Sequence, residues 1–242
     1  MIPQIIHYCW FGRTSLPDSA VRCVESWKKF FPSYQIKEWN EDNFDINIIP
    51  YTKEAYEAKK YAFVSDFARF WVIYHYGGIY FDVDVEVVKP MDDILAKGPF
   101  WGIEINNNKR PLINPGLGIA APAQDEFYKA ILDRYQTMKF YSEDGAISKF
   151  TMIPMVSEFF CNLGLKGDGK VECIRGHYIY PQEYFNPLND ATGRLTITEN
   201  TRSIHWYMKS WISEPRWKVV CKRFIRRCVG EKGMKYLRKL FL

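Results

Sequence analysis

Six cysteines in a chain of 242 residues form neither a Cys-x-x-Cys pair nor a zinc-ligand spacing, which argues against a dithiol redox motif or a structural zinc site. A reduced, cytoplasmic setting is the expectation. Met1 runs straight into Ile2-Pro3-Gln4-Ile5-Ile6, without the basic segment and apolar core of a signal peptide. Long hydrophobic runs are also missing, since the most apolar stretch, residues 62–85, is broken by Asp66, Arg69 and Asp82. No membrane-spanning helix is expected there. Glycine is scarce where a dinucleotide fold needs it: the segment after the first strand, Cys9-Trp10-Phe11-Gly12-Arg13, holds one. A nucleotide would then have to be held by metal and stacking rather than by a glycine-rich phosphate loop.

What is present is ample apolar surface, with 47% hydrophobic and 17% aromatic residues. The length suits one globular domain with a full core. Charge is unevenly spread. Residues 215–242 carry 10 Lys/Arg and one acid, Glu231, whereas residues 1–214 carry 23 Lys/Arg and 27 Asp/Glu. The chain therefore divides into an acidic body, 1–214, and a basic tail, 215–242. Apolar residues interleaved with cations, as in Trp217-Lys218-Val219-Val220-Cys221-Lys222-Arg223-Phe224, suit an amphipathic helix on an anionic membrane surface, where each cation contributes about 1 kcal/mol. A solvated helix packed on the body is the plainer alternative. The acidic body and the absence of a recognition motif argue against nucleic acid.

Hydrophobic periodicity predicts a strand over 2–8, a helix over 17–31 and a strand over 34–39, a β-α-β opening. Helices are predicted near 52–59 and over 61–76, the second stopped by Gly77-Gly78. A central strand over 79–82 and an extended piece over 85–88 follow. Further strands are predicted over 100–105 and 116–121, with helices near 124–138 and 153–163. Short strands and loops fill 171–211. This alternation predicts an α/β sandwich with a largely parallel sheet.

The chemistry concentrates in Gly77-Gly78-Ile79-Tyr80-Phe81-Asp82-Val83-Asp84. Side chains two apart on a strand share a face, so Asp82 and Asp84 are expected to converge. Two converging carboxylates need a cation or a proton between them, and oxygen ligands favour Mg²⁺ or Mn²⁺, which keeps open positions for phosphate oxygens. Asp66 and Arg69 share a face of the preceding helix. Either they form an ordinary intrahelical ion pair or the acid takes sugar hydroxyls while the guanidinium faces phosphate or sugar oxygen. Trp10, beyond the first strand, suits stacking on a nucleobase, worth about 1–3 kcal/mol, or a place in the core. Among four histidines, His205 stands with hydroxyl and indole donors in His205-Trp206-Tyr207-Met208-Lys209-Ser210-Trp211.

These segments, with Ile2 through Gly12, Ser26-Trp27, Glu38-Trp39-Asn40, Ala62 through Arg69, Tyr76 through Val85 and Asn200 through Trp211, resemble glycosyltransferase family 32, the Asp-x-Asp sugar-binding group. That group includes capsular polysaccharide transferases and fungal initiating α-1,6-mannosyltransferases, and is distantly similar to the large clostridial glucosylating toxins. The resemblance implies a GT-A nucleotide-sugar fold, Rossmann-like with a mixed, mainly parallel sheet flanked by helices. It implies that Asp82 contacts ribose and donor sugar and that Asp84 binds Mn²⁺ or Mg²⁺ bridging the diphosphate. Trp10 would stack on the base, Asp66 and Arg69 would hold the donor sugar, and Trp211 would donate to a phosphate oxygen. The third metal contact is either His205 or Ser210. The implied reaction is retaining transfer of a hexose, with a UDP-sugar favoured, to a glycan hydroxyl in cell-surface or capsular polysaccharide synthesis. The acceptor could be lipid-linked, with the tail docking the enzyme on the inner membrane face. Sugar choice is expected to depend on loops around 106–108, Asn114 and Asp144. Two other readings are an aspartate-nucleophile phosphatase, for which Gly167-Asp168-Gly169 is a poor second acidic motif, and a non-catalytic carbohydrate-binding protein with a membrane-surface tail.

Overall fold

The computed structural model describes residues 1–107, 110–148 and 152–208. The chain opens with β1 (Ile5–Cys9), α1 (Asp18–Phe30), β2 (Gln35–Trp39), α2 (Pro50–Glu57) and α3 (Tyr61–Tyr76). Then come β3 (Gly78–Tyr80), β4 (Val85–Val87), α4 (Asp92–Leu95), β5 (Phe100–Asn107), β6 (Arg110–Ile113), a 3₁₀ turn over Pro115–Leu117, and β7 (Ile119–Ala121). The remainder is α5 (Glu126–Tyr135), α6 (Met152–Asn162), β8 (Glu172–Ile174), β9 (His177–Tyr180), α7 (Gln182–Phe185), β10 (Leu188–Asn189), β11 (Arg194–Leu195) and β12 (Ser203–His205). Among the described residues no helix is long and apolar enough to cross a membrane.

The main sheet has the order β2-β1-β3-β7-β5-β9-β8, with β6 paired to β5. Five strands, β2, β1, β3, β5 and β9, run in one sense, and β7, β8 and β6 run against them. The mixed, mainly parallel sheet matches the expected fold class. Its consequence is positional, because five carboxyl ends open onto one edge, where α/β sheets collect ligands.

Side chains alternate between two cores. On β3, Ile79 packs with Ile6, Tyr8 and Trp27, while Tyr80 packs on the opposite face with Cys9, Phe67 and Phe70. The pleat thus feeds two apolar layers. α1 turns Ala20, Cys23, Val24 and Trp27 inward at helical spacing. Two of its residues also pin β4: the Trp27 indole donates to the Val85 carbonyl at 2.8 Å, and the Val87 amide donates to Ser26 Oγ at 2.9 Å. α3, on the opposite face, ends at Gly77, whose φ is 64°. A Cβ at Gly77 would lie 2.6 Å from the Ala123 nitrogen, so a larger residue there would push the helix end off the sheet.

The strand expected over 116–121 begins only at Ile119, because Pro115 and Gly116 enter a 3₁₀ turn capped by the Asn114 side chain. β6 was not anticipated, since Pro111 interrupts its apolar pattern.

Two histidines serve the core. Trp39 donates its indole N–H to His7 Nδ1 at 3.0 Å, and His7 Nε2 donates to the Gly77 carbonyl at 2.9 Å. His177 repeats the arrangement with Trp101 and Asp125. Burial pushes His7 down from 6.5 to about 4. The unfolded chain therefore binds the extra proton first as pH falls, and stability is lost between those two values. The advantage of wild type over His7→Gln is expected to shrink by up to about 3 kcal/mol between about pH 7 and pH 4. Urea unfolding of both proteins across that range measures it, and a pH-independent difference would contradict a buried neutral imidazole.

Candidate functional site

Strand β3 stops at Tyr80, two residues before the first carboxylate. The Phe81 amide still donates to the His7 carbonyl and the Asp82 amide to the Gly116 carbonyl, both at 3.1 Å. The chain then turns, closed by the Val85 amide donating to the Asp82 carbonyl at 3.0 Å. Asp82 and Asp84 do converge, but through this turn rather than through the pleat of a strand. The expected strand over 79–82 is corrected accordingly: a turn lets both side chains swing toward one point beyond the sheet edge.

The third member arrives from far along the chain. β12 pairs antiparallel with β4, placing His205 opposite Val85. His205 Nε2 lies 3.1 Å from Asp84 Oδ1, and the Met208 amide donates to Asp84 Oδ2 at 2.9 Å. The Trp206 amide donates to the Asp84 backbone carbonyl at 2.9 Å. One ligand atom from each of Asp82, Asp84 and His205 lies within 4.8 Å of the others. Burial disfavours a charged Asp84, yet the His205 imidazolium and the Met208 amide outweigh it and hold the carboxyl below its usual range. Burial likewise opposes a charged His205, but Asp84 lifts it above its usual value.

The donor set fits a small divalent cation. Two carboxylates and one imidazole converge, and the 3.1 Å separation of His205 Nε2 from Asp84 Oδ1 matches the roughly 3 Å edge expected of an octahedron with 2.0–2.1 Å bonds. Asp82 is the more open ligand, its side chain 27% exposed against 12% for Asp84. An accessible oxygen there leaves room for a substrate.

Asp82 is itself held. Its Oδ1 accepts from the Tyr80 hydroxyl at 2.9 Å and from Arg69 Nη2 at 3.1 Å. The same Nη2 reaches Asp66 Oδ1 at 2.9 Å, and Arg69 Nε donates to the Ser65 carbonyl. The Asp66–Arg69 ion pair therefore exists, but it extends beyond α3 to the first carboxylate of the motif. Arg69 was expected to face phosphate or sugar oxygen. Its side chain is only 4% exposed, with Nη2 on the two carboxylates and Nη1 buried without a partner among the described residues. Burial disfavours its charge, and Asp82, Tyr80 and Asp66 together overcome that and raise it above its ordinary value. Burial lifts Asp66 to about 6, against the pull of Arg69.

Further polar groups adjoin this cluster. Glu104 sits at a register shift in the β5–β6 ladder, between Ile103 and Ile105, the kind of irregularity that re-aims a side chain beside an active site. Its Oε1 accepts from the Tyr207 hydroxyl at 2.9 Å, and its Oε2 from Asn114 Nδ2 at 3.3 Å. Asn186 Nδ2 donates to the Glu104 carbonyl at 2.9 Å and to the Tyr207 hydroxyl at 2.6 Å. The Tyr207 ring stands perpendicular to His205, centroids 4.3 Å apart. Tyr207 adopts a left-handed φ of 51°, a strained conformation these contacts hold. Sequence reasoning passed over Glu104 and Asn186. A lone carboxylate inside Phe100-Trp101-Gly102-Ile103-Glu104-Ile105 was the available signal, the same one that marked Asp66 and Arg69.

Asn114, expected in a sugar-selecting loop, is buried and caps the turn beneath Asp82 by accepting from the Gly116 amide. Asp144 is exposed in a surface turn with Ser142 and Ala146. Trp10 is half-buried and donates to the Thr14 carbonyl. It walls a cleft of about 250 Å³ with Arg13, Glu38, Asn40 and Asp42, at the carboxyl ends of β1 and β2. Asp168 lies in a polar turn, accepting from the Lys170 amide. Ser210, Trp211 and the basic tail lie outside the described residues.

The family model described as the glycosyltransferase sugar-binding region containing a DXD motif matches residues 17–101. The chain is 36% identical over 198 residues to an uncharacterized glycosyltransferase of Acanthamoeba polyphaga mimivirus, covering 78% of this chain and 77% of that protein. It is 31% identical over 110 residues to inositol phosphoceramide mannosyltransferase 1 of Schizosaccharomyces pombe, covering 41% of this chain but only 33% of that protein. Among solved structures, the PaToxG glycosyltransferase superposes with a TM-score of 0.52 at 18% identity, over 70% of this chain and 72% of that one. A glycosyltransferase involved in glycosylation of the major capsid of PBCV-1 gives 0.51 at 13% identity, over 90% and 97%. At such identities the two structures speak to the fold alone.

Proposed function

We propose, since the chain belongs to the family of glycosyltransferases that carry the DXD sugar-binding region, that it moves a hexose from a nucleotide-diphosphate sugar to a glycan hydroxyl with retention at the anomeric carbon. The observation that carries this reading is the Asp82, Asp84 and His205 cluster at the carboxyl edge of the sheet, between the Trp10 cleft and Glu104. Asp82, Asp84 and His205 would hold Mn²⁺ or Mg²⁺. When bound, the cation supplies Lewis-acid neutralisation of the charge that develops on the leaving diphosphate.

The protein's own groups do the positioning. Arg69 and Tyr80 fix the Asp82 carboxylate, while the Met208 amide and His205 fix Asp84. Such prearranged dipoles need no reorganisation as charge develops. The Trp10 cleft suits the base. In front-face attack the acceptor oxygen bonds to the anomeric carbon as the bond to the phosphate oxygen breaks, and that oxygen takes the acceptor proton. Mannose is the first sugar to try, because several relatives are named mannosyltransferases. The composition of residues 215–242 supports docking on an anionic membrane surface, and a role in surface polysaccharide synthesis would follow from that placement.

Incubation with a panel of UDP- and GDP-hexoses and Mn²⁺ tests the reading. Slow, chelator-sensitive release of nucleoside diphosphate from at least one donor is expected even without acceptor. Release of inorganic phosphate from simple phosphomonoesters, with no donor hydrolysis, would favour the phosphatase instead.

A further inference from the structure

The edge on which the five co-directional strands end is divided among three features. At β1 and β2 lies the Trp10 cleft, and beyond β3 lies the Asp82–Asp84–His205 cluster. At β9 a larger cleft of about 500 Å³ begins with the residues that leave the strand, Pro181 and Gln182. Its far wall comes from the β10–β11 hairpin through Asn189, Arg194 and Thr196. The transferase reading uses the first two features and leaves the third without a role.

We propose that this cleft binds the carbohydrate acceptor, an inference that rests on the transferase reading above. Its size falls within the range of about 300–1,000 Å³ typical of small-ligand sites, and is twice that of the cleft beside Trp10. The lining suits sugars, since amide, hydroxyl and guanidinium groups can pair with hydroxyls while Ile103 offers an apolar surface to ring C–H groups. Some of these groups are unspent: among the described residues, the side chains of Gln182 and Arg194 have no hydrogen-bond or ion-pair partner.

Asn186 links the cleft to the chemistry. It lines the cleft, is almost wholly buried, and spends its Nδ2 on the Glu104 carbonyl and the Tyr207 hydroxyl. Its Oδ1 is buried with no partner, a state that normally costs free energy. Tyr207 packs in turn on His205. A saccharide lying in the cleft and extending past Asn186 brings its terminal hydroxyl to Glu104 and Tyr207, beside the cation-binding cluster. Asn186 is therefore the hinge point between recognition of the acceptor and the reacting centre.

The test uses the full chain and the variants Gln182→Ala/Arg194→Ala and Thr196→Tyr, the second of which fills the cleft rather than stripping it. Saturation-transfer NMR reads binding of methyl glycosides and disaccharides of mannose, glucose and galactose, with Mn²⁺ and nucleoside diphosphate present. Wild type is expected to bind at least one disaccharide, and each variant to weaken it by about tenfold, the first through loss of one to two hydrogen bonds and the second through loss of space in the cleft. Donor hydrolysis without acceptor is expected to stay within about twofold in both, because neither change touches the cation ligands or the Trp10 cleft. Unchanged disaccharide affinity in both variants, or no disaccharide binding by wild type, overturns the assignment. Failure of the transferase reading itself shows differently, as no nucleotide release by wild type from any donor.

Discussion

Asp84→Asn is expected to lower donor turnover by about 10³-fold, measured as nucleoside diphosphate released in Mn²⁺, while the protein remains folded. The substitution keeps the shape of the side chain and one acceptor oxygen for the Met208 amide, so the turn and the β4–β12 pairing survive. What it removes is the negative charge of the most enclosed cation ligand. Loss of supporting groups around a metal ligand typically costs 10–100-fold in affinity or activity, and loss of the ligand itself costs more. Mn²⁺ affinity, read by calorimetry, should fall in parallel. Asp82→Asn is expected to behave similarly but with additional loss of donor affinity, because Asp82 is the more open of the two carboxylates. Turnover within about tenfold of wild type in Asp84→Asn, at equal Mn²⁺, would remove the cation from the mechanism.

Arg69→Met should be the most destabilising single change at the site, costing about 3–5 kcal/mol out of the roughly 5–15 kcal/mol typical of a domain. The reason is the company Arg69 keeps: one Nη2 serves both Asp66 and Asp82, and its removal strands two carboxylates in a largely buried setting. Asp66 already sits at about 6 because of burial, even with the guanidinium beside it. Without that partner its carboxyl rises further, so above about pH 6 the folded variant binds a proton that the folded wild type does not. The variant's deficit should therefore shrink as pH falls from the variant's raised value toward about 6, where the wild-type carboxyl takes up its proton too, and should change little below that. Adding Asp66→Asn to Arg69→Met should recover part of the loss at neutral pH. Urea midpoints at constant m-value measure all three proteins. A double variant as unstable as Arg69→Met at every pH would mean the cost comes from lost packing over the Tyr80 ring rather than from unpaired charge.

The elements most legible in the chain are those whose signal is local. α3 runs from Tyr61 to Tyr76 as its apolar periodicity and the following glycines predict, and α1 buries Cys23, Val24 and Trp27 for the same reason. Carboxylates and an arginine embedded in apolar segments were also readable, because a charge in such a setting is costly unless it has a partner or a task. Asp66, Arg69, Asp82 and Asp84 were all found this way. Glu104 carries the same mark, but in a strand whose apolar pattern points only to a place in the sheet.

What the tertiary structure decided is who meets whom. Asp84 receives the Met208 amide from 124 residues away, and Glu104 receives Tyr207 from 103 residues away. Arg69, on α3, meets Asp66 of its own helix and Asp82 beyond β3 through one nitrogen. The convergence of Asp82 and Asp84 came from a turn, where the pattern of alternation suggested a strand. Periodicity and embedded charge are local, and they state which face is apolar and which residue needs a partner. Partners come from pairings such as β4 with β12, whose register depends on all the packing between them. Hence the sequence by itself determined the family, the α/β architecture and the motif carboxylates. Only the folded chain brought His205 to Asp84, aimed Glu104 at the same centre, and opened a second cleft beside it.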